Sequence, residues 1–151
     1  MILLAILAAS AVPPTEQAAI FAAAGFTRAH GGWHTDCDQA DSGSYEPGTI
    51  ETYRDLDGDG RPEAVVTEGS GFCYGNAGTG FWLLSKRADG SWSKLFQSPG
   101  MAEFLATKGA GNMPDLSVGG PGFCFPVLRW DGTAYVQNRF EYEGKRCQPA
   151  D

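Results

Sequence analysis

The stretch DLDGDGRPE combines residue types and spacing that suit a metal ion. Asp55, Asp57 and Asp59 alternate, and Glu63 follows four positions after the last of them. Calcium takes about six to eight oxygen ligands at about 2.3–2.6 Å, and a tight loop can turn alternate carboxylates and a backbone carbonyl, here that of Arg61, toward one centre. Without a cation, these closely spaced aspartates repel one another. The spacing therefore predicts a calcium site.

The residues after this stretch predict a strand and not a helix. In an EF-hand the twelfth loop position is a bidentate glutamate, whereas here that position is Val66. Pro62 and the β-branched residues 65–67 also oppose a helix. We therefore expect a site in which a strand, the acidic loop and a second strand follow one another. The alternative is a solvated acidic turn that binds no metal.

The sequence DLDGDGRPEAVV resembles the calcium loop of FG-GAP and VCBS-type repeats, in which an Asp-x-Asp-x-Asp-Gly-x-x-Asp loop leads directly into a strand. These repeats occur in integrin-like β-propellers and in many secreted bacterial proteins. The resemblance implies Ca2+ as the ion. It does not by itself indicate a catalysed reaction. It implies side-chain ligands from Asp55, Asp57, Asp59 and Glu63, and a backbone ligand from the Arg61 carbonyl.

A degenerate copy of the pattern follows later in the chain. Residues 62–66 align with 114–118, and the tripeptide GFC at 71–73 aligns with GFC at 122–124. Upstream of the second copy, other residues stand in place of the three aspartates, and we expect that loop to bind no metal. These residues are Thr107, Gly109 and Gly111.

The patterning predicts a mainly β fold with one short N-terminal helix. The helix is expected in PPTEQAAIFAAAGF, with Thr15 as its N-cap and Gly25 just past its end. The polar interval 31–48 predicts an irregular loop anchored by a disulfide, and the Asp-Gly pairs at 89–90 and 131–132 predict hairpin turns. Strand patterns occupy the segments 49–53, 64–67, 81–85, 92–96, 116–118, 127–130 and 135–138.

These segments predict one domain, residues 12–151, built from two repeats at about 49–96 and 107–138. Closing a propeller takes about four blades or more. Two units instead predict a small antiparallel module, either propeller-blade-like or sandwich-like. The large aromatic residues on its hairpins either form a sugar-stacking platform or fill the core, and core packing is favoured. They are Trp82, Trp92, Trp130 and Tyr135.

The chain start and the cysteines indicate an oxidising compartment. Residues 1–11 are apolar and end in Ala-Ser-Ala, which is typical of a secretory signal and its cleavage site. Four cysteines without a CxxC pair predict two disulfides in a periplasmic or secreted protein. Three pairings are possible. We prefer Cys37 with Cys73 and Cys124 with Cys147, and the main alternative joins Cys73 with Cys124.

The charge and the motifs restrict the function classes. A formal net charge of -7 disfavours nucleic acid and anionic membranes as partners, and the apolar N-terminal run is too short for a transmembrane anchor. We expect a module that binds a protein or a glycan. The sequence favours this role over that of an enzyme. The alternative is a small hydrolase that uses paired carboxylates, such as Glu68 or Glu141, in an aromatic cleft.

Overall fold

The structure, a computed structural model, describes residues 12–40 and 43–150; the predicted signal segment, 1–11, lies outside them. The described α-helices are α1 (Pro14–Ala24), α2 (Cys37–Ala40) and α3 (Gly71–Tyr74). The described strands are β1 (Thr27–Ala29), β2 (Gly32–His34), β3 (Glu46–Arg54), β4 (Glu63–Gly69), β5 (Thr79–Lys86), β6 (Trp92–Pro99), β7 (Met101–Lys108), β8 (Pro114–Gly119), β9 (Phe125–Trp130), β10 (Tyr135–Tyr142) and β11 (Lys145–Arg146).

Helix α1 has ends that are set by its local sequence. Gln17 N donates to the Pro13 carbonyl (2.9 Å), and the helix begins at Pro14, where the fixed φ of proline suits the first turn. The predicted N-cap at Thr15 is wrong, because Pro13 occupies the N-cap position. Gly25 ends the helix in the left-handed conformation (φ 92°), as predicted.

Strands β3 to β6 form an antiparallel sheet in the order β3-β4-β5-β6. Its two central strands are apolar on both faces, since side chains alternate along a strand and here each face is covered. The central-strand residues that pack with α1 are Ala64, Val66, Trp82 and Leu84. Those that pack into the other core are Val65, Phe81 and Leu83.

Strands β7 to β11 form a second antiparallel sheet in the order β11-β10-β9-β8-β7. One of its faces packs on the first sheet through Met113, Leu116, Leu128 and Tyr135. The molecule therefore has three layers, namely α1, the first sheet and the second sheet. This confirms the predicted mainly β class with a short N-terminal helix. The aligned segments 62–66 and 114–118 overlap β4 and β8, which lie in different sheets.

The large aromatic residues lie in these cores. Trp82, Trp92 and Tyr135 are 4%, 9% and 8% exposed, and Trp130 packs against the core between the sheets. Two of them also satisfy their polar atoms, because Trp92 Nε1 donates to Glu16 (2.8 Å) and the Tyr135 hydroxyl donates to the Pro114 carbonyl (2.8 Å). The core interpretation is confirmed.

All seven predicted strand segments fall within observed strands, but four other strands were missed. Strand β7, MAEFLATK, consists mostly of good helix formers, and it becomes a strand because it pairs with β8 and contributes to the core between the sheets. The irregular loop predicted for 31–48 is also wrong. Its residues contribute to the β1–β2 hairpin, to α2 and to the start of β3.

Two disulfides join Cys37 to Cys73 and Cys124 to Cys147, the preferred pairing. The first connects α2 to α3, and the second connects the β8–β9 loop to the segment after β11. Among the described residues, no helix is both long enough and apolar enough to cross a membrane.

Candidate metal centre

The acidic loop joins β3 to β4 and wraps around one carboxylate. Asp55 Oδ1 accepts a hydrogen bond from Gly58 N and Asp55 Oδ2 accepts one from Gly60 N, both at 2.8 Å. Gly58 and Gly60 have φ values of 80° and 86°, a left-handed conformation that glycine adopts without strain. The two glycines therefore permit the turn that places this carboxylate inside the loop.

Three side chains of the predicted site converge. Carboxylate oxygens of Asp55, Asp57 and Glu63 all lie within 4.8 Å of one another. Two ligands on opposite sides of a calcium ion are separated by about 5 Å, twice the usual metal–oxygen distance. The spacing of these oxygens therefore fits a common ion of that size.

Glu63 anchors this group in the interior of the protein. The residue is fully buried, and its Oε1 accepts from Leu56 N (2.7 Å) while its Oε2 accepts from Ser85 Oγ (2.8 Å). The Leu56 side chain in turn packs in the core between the two sheets. The acidic group is thus connected directly to the packing of the sheets.

The electrostatics of the group favour a cation. Burial raises the pKa of Glu63, and the nearby charges of Asp57 and Asp59 raise it further. Burial also raises the pKa of Asp57, whereas the hydrogen bond from Gly60 N leads the contributions that lower the pKa of Asp55. Carboxylates that lie close together are harder to ionise, and a positive charge placed between them stabilises their anionic forms.

Asp59 and Arg61 make other contacts. Asp59 Oδ1 accepts from Arg61 N (2.8 Å), and Asp59 Oδ2 forms an ion pair with Arg61 Nη2 (3.0 Å). The Arg61 Nε atom donates to the Lys86 carbonyl (3.1 Å). Asp59 is therefore outside the close group of three carboxylates, and its role as a ligand, like that of the Arg61 carbonyl, stays a prediction.

Comparisons with protein-family models, with curated proteins and with solved structures find no match. The case for a metal site therefore rests on the residues and geometry of this chain.

The second copy of the pattern contains a different arrangement. Asp115 is fully buried, like Glu63, but it accepts hydrogen bonds from Arg129 (2.8 and 3.0 Å), Arg139 (2.9 Å) and Thr107 (2.6 Å). Burial alone raises the pKa of Asp115, but the hydrogen bonds, led by those from Arg129, outweigh it and lower the pKa well below its ordinary value.

Sequence reasoning missed these two arginines. Arg129 had one sequence signal, its place in the predicted strand 127–130, but the observed pairing of Leu128 with Leu116 is what puts it beside Asp115. Arg139 gave no such signal, since a bulge between Gln137 and Arg139 shifts the register of β10. The guanidinium groups give Asp115 its positive neighbours from within the chain.

The carboxylates of the alternative hydrolase lie in different places. Glu68 is on β4 in the first sheet and lines a cavity of about 300 Å3, while Glu141 is on β10 in the second sheet and lines another of about 290 Å3. The described geometry does not place them on opposite walls of one cleft, as a glycosidase-like pair would require.

Glu68 is the centre of a polar cluster that sequence reasoning also missed. It is 2% exposed and accepts from the hydroxyls of Thr35 (2.8 and 2.9 Å), Tyr45 and Tyr74. Burial, followed by the hydrogen bond to Glu68, raises the pKa of Tyr45 to about 12 and raises that of Tyr74 as well. The cluster joins three segments to β4 of the first sheet: the segment before α2, the residue just before β3, and α3.

Proposed function

We propose that this chain is a periplasmic or secreted calcium-binding β module of the FG-GAP/VCBS type that binds a protein or a glycan. The observation that carries the calcium assignment is the convergence of Asp55, Asp57 and Glu63 oxygens within 4.8 Å, with Glu63 fully buried. A hard cation of calcium's size is the natural counterion for such a set of carboxylates.

Calcium in this role stabilises the connection between the loop and the two sheets. Asp55 and Asp57 belong to the loop, Glu63 begins β4, and Leu56 between them packs in the core between the sheets. The ion neutralises carboxylates that otherwise repel one another, and the unfolded chain cannot hold them in the same geometry. Metal binding is therefore coupled to the free energy of folding.

The compartment is supported by the two disulfides, which persist in oxidising environments and are rare in the cytosol of most organisms. The binding role is supported by the acidic and aromatic surface of the second sheet, which is argued in the next subsection. It is also consistent with the separate positions of Glu68 and Glu141.

The experiment that tests the calcium assignment is thermal unfolding with calcium and with a chelator. Calcium at about 100 times its dissociation constant should add about 2.7 kcal/mol to the free energy of unfolding. Asp57→Ala should abolish this response. The matched control is Asp89→Ala, because Asp89 also sits in an Asp-Gly turn of the first sheet, where it accepts from Ser91 N and Ser91 Oγ and is not part of the group of three carboxylates.

Calorimetric titration with calcium alone, and with magnesium for comparison, then measures the site directly. Calcium should bind with a stoichiometry of one and more tightly than magnesium, since magnesium demands a near-octahedral site and dehydrates reluctantly. A melting temperature that is unchanged by calcium and by chelator would leave the loop as a solvated acidic turn. Affinity capture from an extracytoplasmic fraction, together with a glycan array, tests the binding role.

A further inference from the structure

The outer face of the second sheet, which points away from the first sheet, contains a cavity of about 290 Å3. Strand register places Glu103 opposite Ser117 and Glu141 opposite Phe125, so carboxylates flank the cavity from the β7 side and from the β10 side. We call it the acidic cavity. The lining residues that matter to its chemistry are Glu103, Ser117, Phe125, Glu141, Tyr142 and Glu143.

The side-chain hydroxyl of one mostly buried residue reaches this cavity without a hydrogen-bond partner among the described residues. Ser117 is 8% exposed and lines the cavity, and no described residue forms a hydrogen bond with its Oγ atom. By contrast, every fully buried side-chain nitrogen or oxygen atom in the described part of the chain is hydrogen-bonded. A polar group held in this way at a cavity wall is available to a ligand that supplies a donor.

The carboxylates of the cavity are short of positive charge. Glu103 and Glu143 have no ion-pair partner among the described residues. Glu141 accepts from Arg139 Nε (2.7 Å), but the same guanidinium also donates to Asp115 (2.9 Å). Arg146 and Lys145 lie opposite Glu141 and Tyr142 in the β10–β11 pairing, but neither forms an ion pair with these carboxylates in the described structure.

Aromatic rings border the acidic groups. The Tyr142 ring lies 5.9 Å from the Phe125 ring and 6.1 Å from the Phe123 ring, and Phe123 is 71% exposed. The Cys124–Cys147 disulfide restrains the loop that presents Phe123. Carboxylates beside exposed aromatic rings suit a cation on an apolar stem, which forms ion pairs through its head and packs its methylene groups on the rings.

We propose that the acidic cavity binds a basic segment of a partner protein, with one lysine or arginine side chain entering the cavity and its neighbours packing on Phe123 and Tyr142. A neutral sugar is disfavoured, because it would shield Glu103 and Glu143 from water without supplying a countercharge. This inference rests on the binding role proposed above and specifies its partner, but it does not require the calcium site.

The test measures binding of fluorescently labelled hexalysine to the full chain at about 150 mM salt, where diffuse surface attraction is largely screened. The cavity variant is Glu103→Gln/Glu143→Gln. The control variant is Glu46→Gln/Glu51→Gln, which changes the net charge equally on exposed residues of the first sheet. Thermal unfolding verifies that both variants are folded.

The cavity variant should raise the dissociation constant about ten-fold or more, and Tyr142→Ala should do the same, while the control variant should change it less than about two-fold. Nε-acetylated hexalysine should not bind, since it lacks the charge. Equal weakening by both double variants would reduce the interaction to diffuse attraction and overturn the proposal. The proposal would also be overturned if hexalysine did not bind. It would likewise be overturned if the protein bound the neutral sugar chitohexaose and the cavity variant abolished that binding.

The calcium response separates this inference from the calcium assignment. A protein that gains stability from calcium but does not bind hexalysine overturns the basic-segment proposal alone. A protein that binds hexalysine through the cavity but melts identically with calcium and with chelator overturns the calcium assignment alone.

Discussion

Glu63 and Asp115 lie at aligned positions of β4 and β8, and both are fully buried. Glu63 accepts from Ser85 and shares its surroundings with two further carboxylates of the acidic loop. Asp115 instead accepts from the guanidinium groups of Arg129 and Arg139. Strand β8 thus keeps a buried carboxylate at this aligned position, and the chain itself supplies the neighbouring positive charges. At the position in β4, the proposed calcium ion supplies the positive charge.

Removing Asp115 should destabilise the protein strongly. The Arg139 side chain is 8% exposed, so its charge is nearly buried. In Asp115→Ala, Glu141 is the one described ion-pair partner that Arg139 keeps. The expected loss is about 3 kcal/mol of unfolding free energy. The double variant Asp115→Ala/Arg139→Met should recover part of it, because the nearly buried guanidinium is removed together with its buried partner, while Glu141 and Arg129, the more exposed partners, lose one ion pair each. Urea unfolding of the single and double variants measures both. A double variant that loses the sum of the two single losses would contradict this account.

Asp115 should also contribute to the pH dependence of stability. Its pKa in the folded protein is lowered, so its contribution is fully present above the pKa of an unfolded aspartate, about 3.9, and is lost as the pH falls toward the folded pKa. Between about pH 5 and pH 2 the wild type should therefore lose more unfolding free energy than Asp115→Asn. Urea unfolding across this range measures the difference, and parallel curves for the two proteins would be inconsistent with it.

Asp57 and Asp59 should differ in their effect on calcium binding. Asp57 belongs to the close group of carboxylates, whereas Asp59 is paired with Arg61. Asp57→Asn should abolish calcium binding, and Asp59→Asn should weaken it by about ten-fold or less, since a metal site depends most on its convergent charged ligands. Calorimetric titration of both variants measures this. Equal loss in both would show that Asp59 contributes as much as Asp57.

The Glu68 cluster should be sensitive to loss of the carboxylate. Glu68→Gln presents one acceptor oxygen in place of two to the hydroxyls of Thr35, Tyr45 and Tyr74, and should cost about 1–3 kcal/mol of unfolding free energy. The pKa of Tyr45, raised to about 12 in the wild type, should fall part of the way to its ordinary value.

Ultraviolet absorbance titration of tyrosine measures that pKa. The variant Tyr45→Phe identifies which of the observed titrations belongs to Tyr45. An unchanged Tyr45 titration in Glu68→Gln would mean that burial alone raises its pKa.

Local patterns were sufficient for several parts of the fold. The Asp-Gly turns at 89–90 and 131–132 depend on backbone conformations that glycine adopts easily, and Gly90 and Gly132 indeed have positive φ values. The buried strand around Val65 could be found because alternating residues must fill two cores. The preferred cysteine pairing was one of three possibilities, and only the fold selected it.

Other parts depended on contacts between distant residues. Strand β7 has a helix-forming composition and is a strand because β8 offers it hydrogen bonds and an apolar face. The hydroxyls around Glu68 come from Thr35, Tyr45 and Tyr74, which are separated from Glu68 by different numbers of residues in the sequence. No local pattern announces such a cluster, because its members meet only when the sheet and its loops are assembled.

By itself, the sequence determined the spacing of the acidic loop, the places where the chain turns, and the alternation of apolar residues that produces a mainly β fold, since these follow from backbone preference and side-chain periodicity. The tertiary structure decided which charges meet. It brought Asp55, Asp57 and Glu63 together, paired Asp115 with Arg129 and Arg139, and placed Glu103 and Glu141 around one cavity. Electrostatic partners are set by distances in space, and sheet register and strand bulges determine those distances.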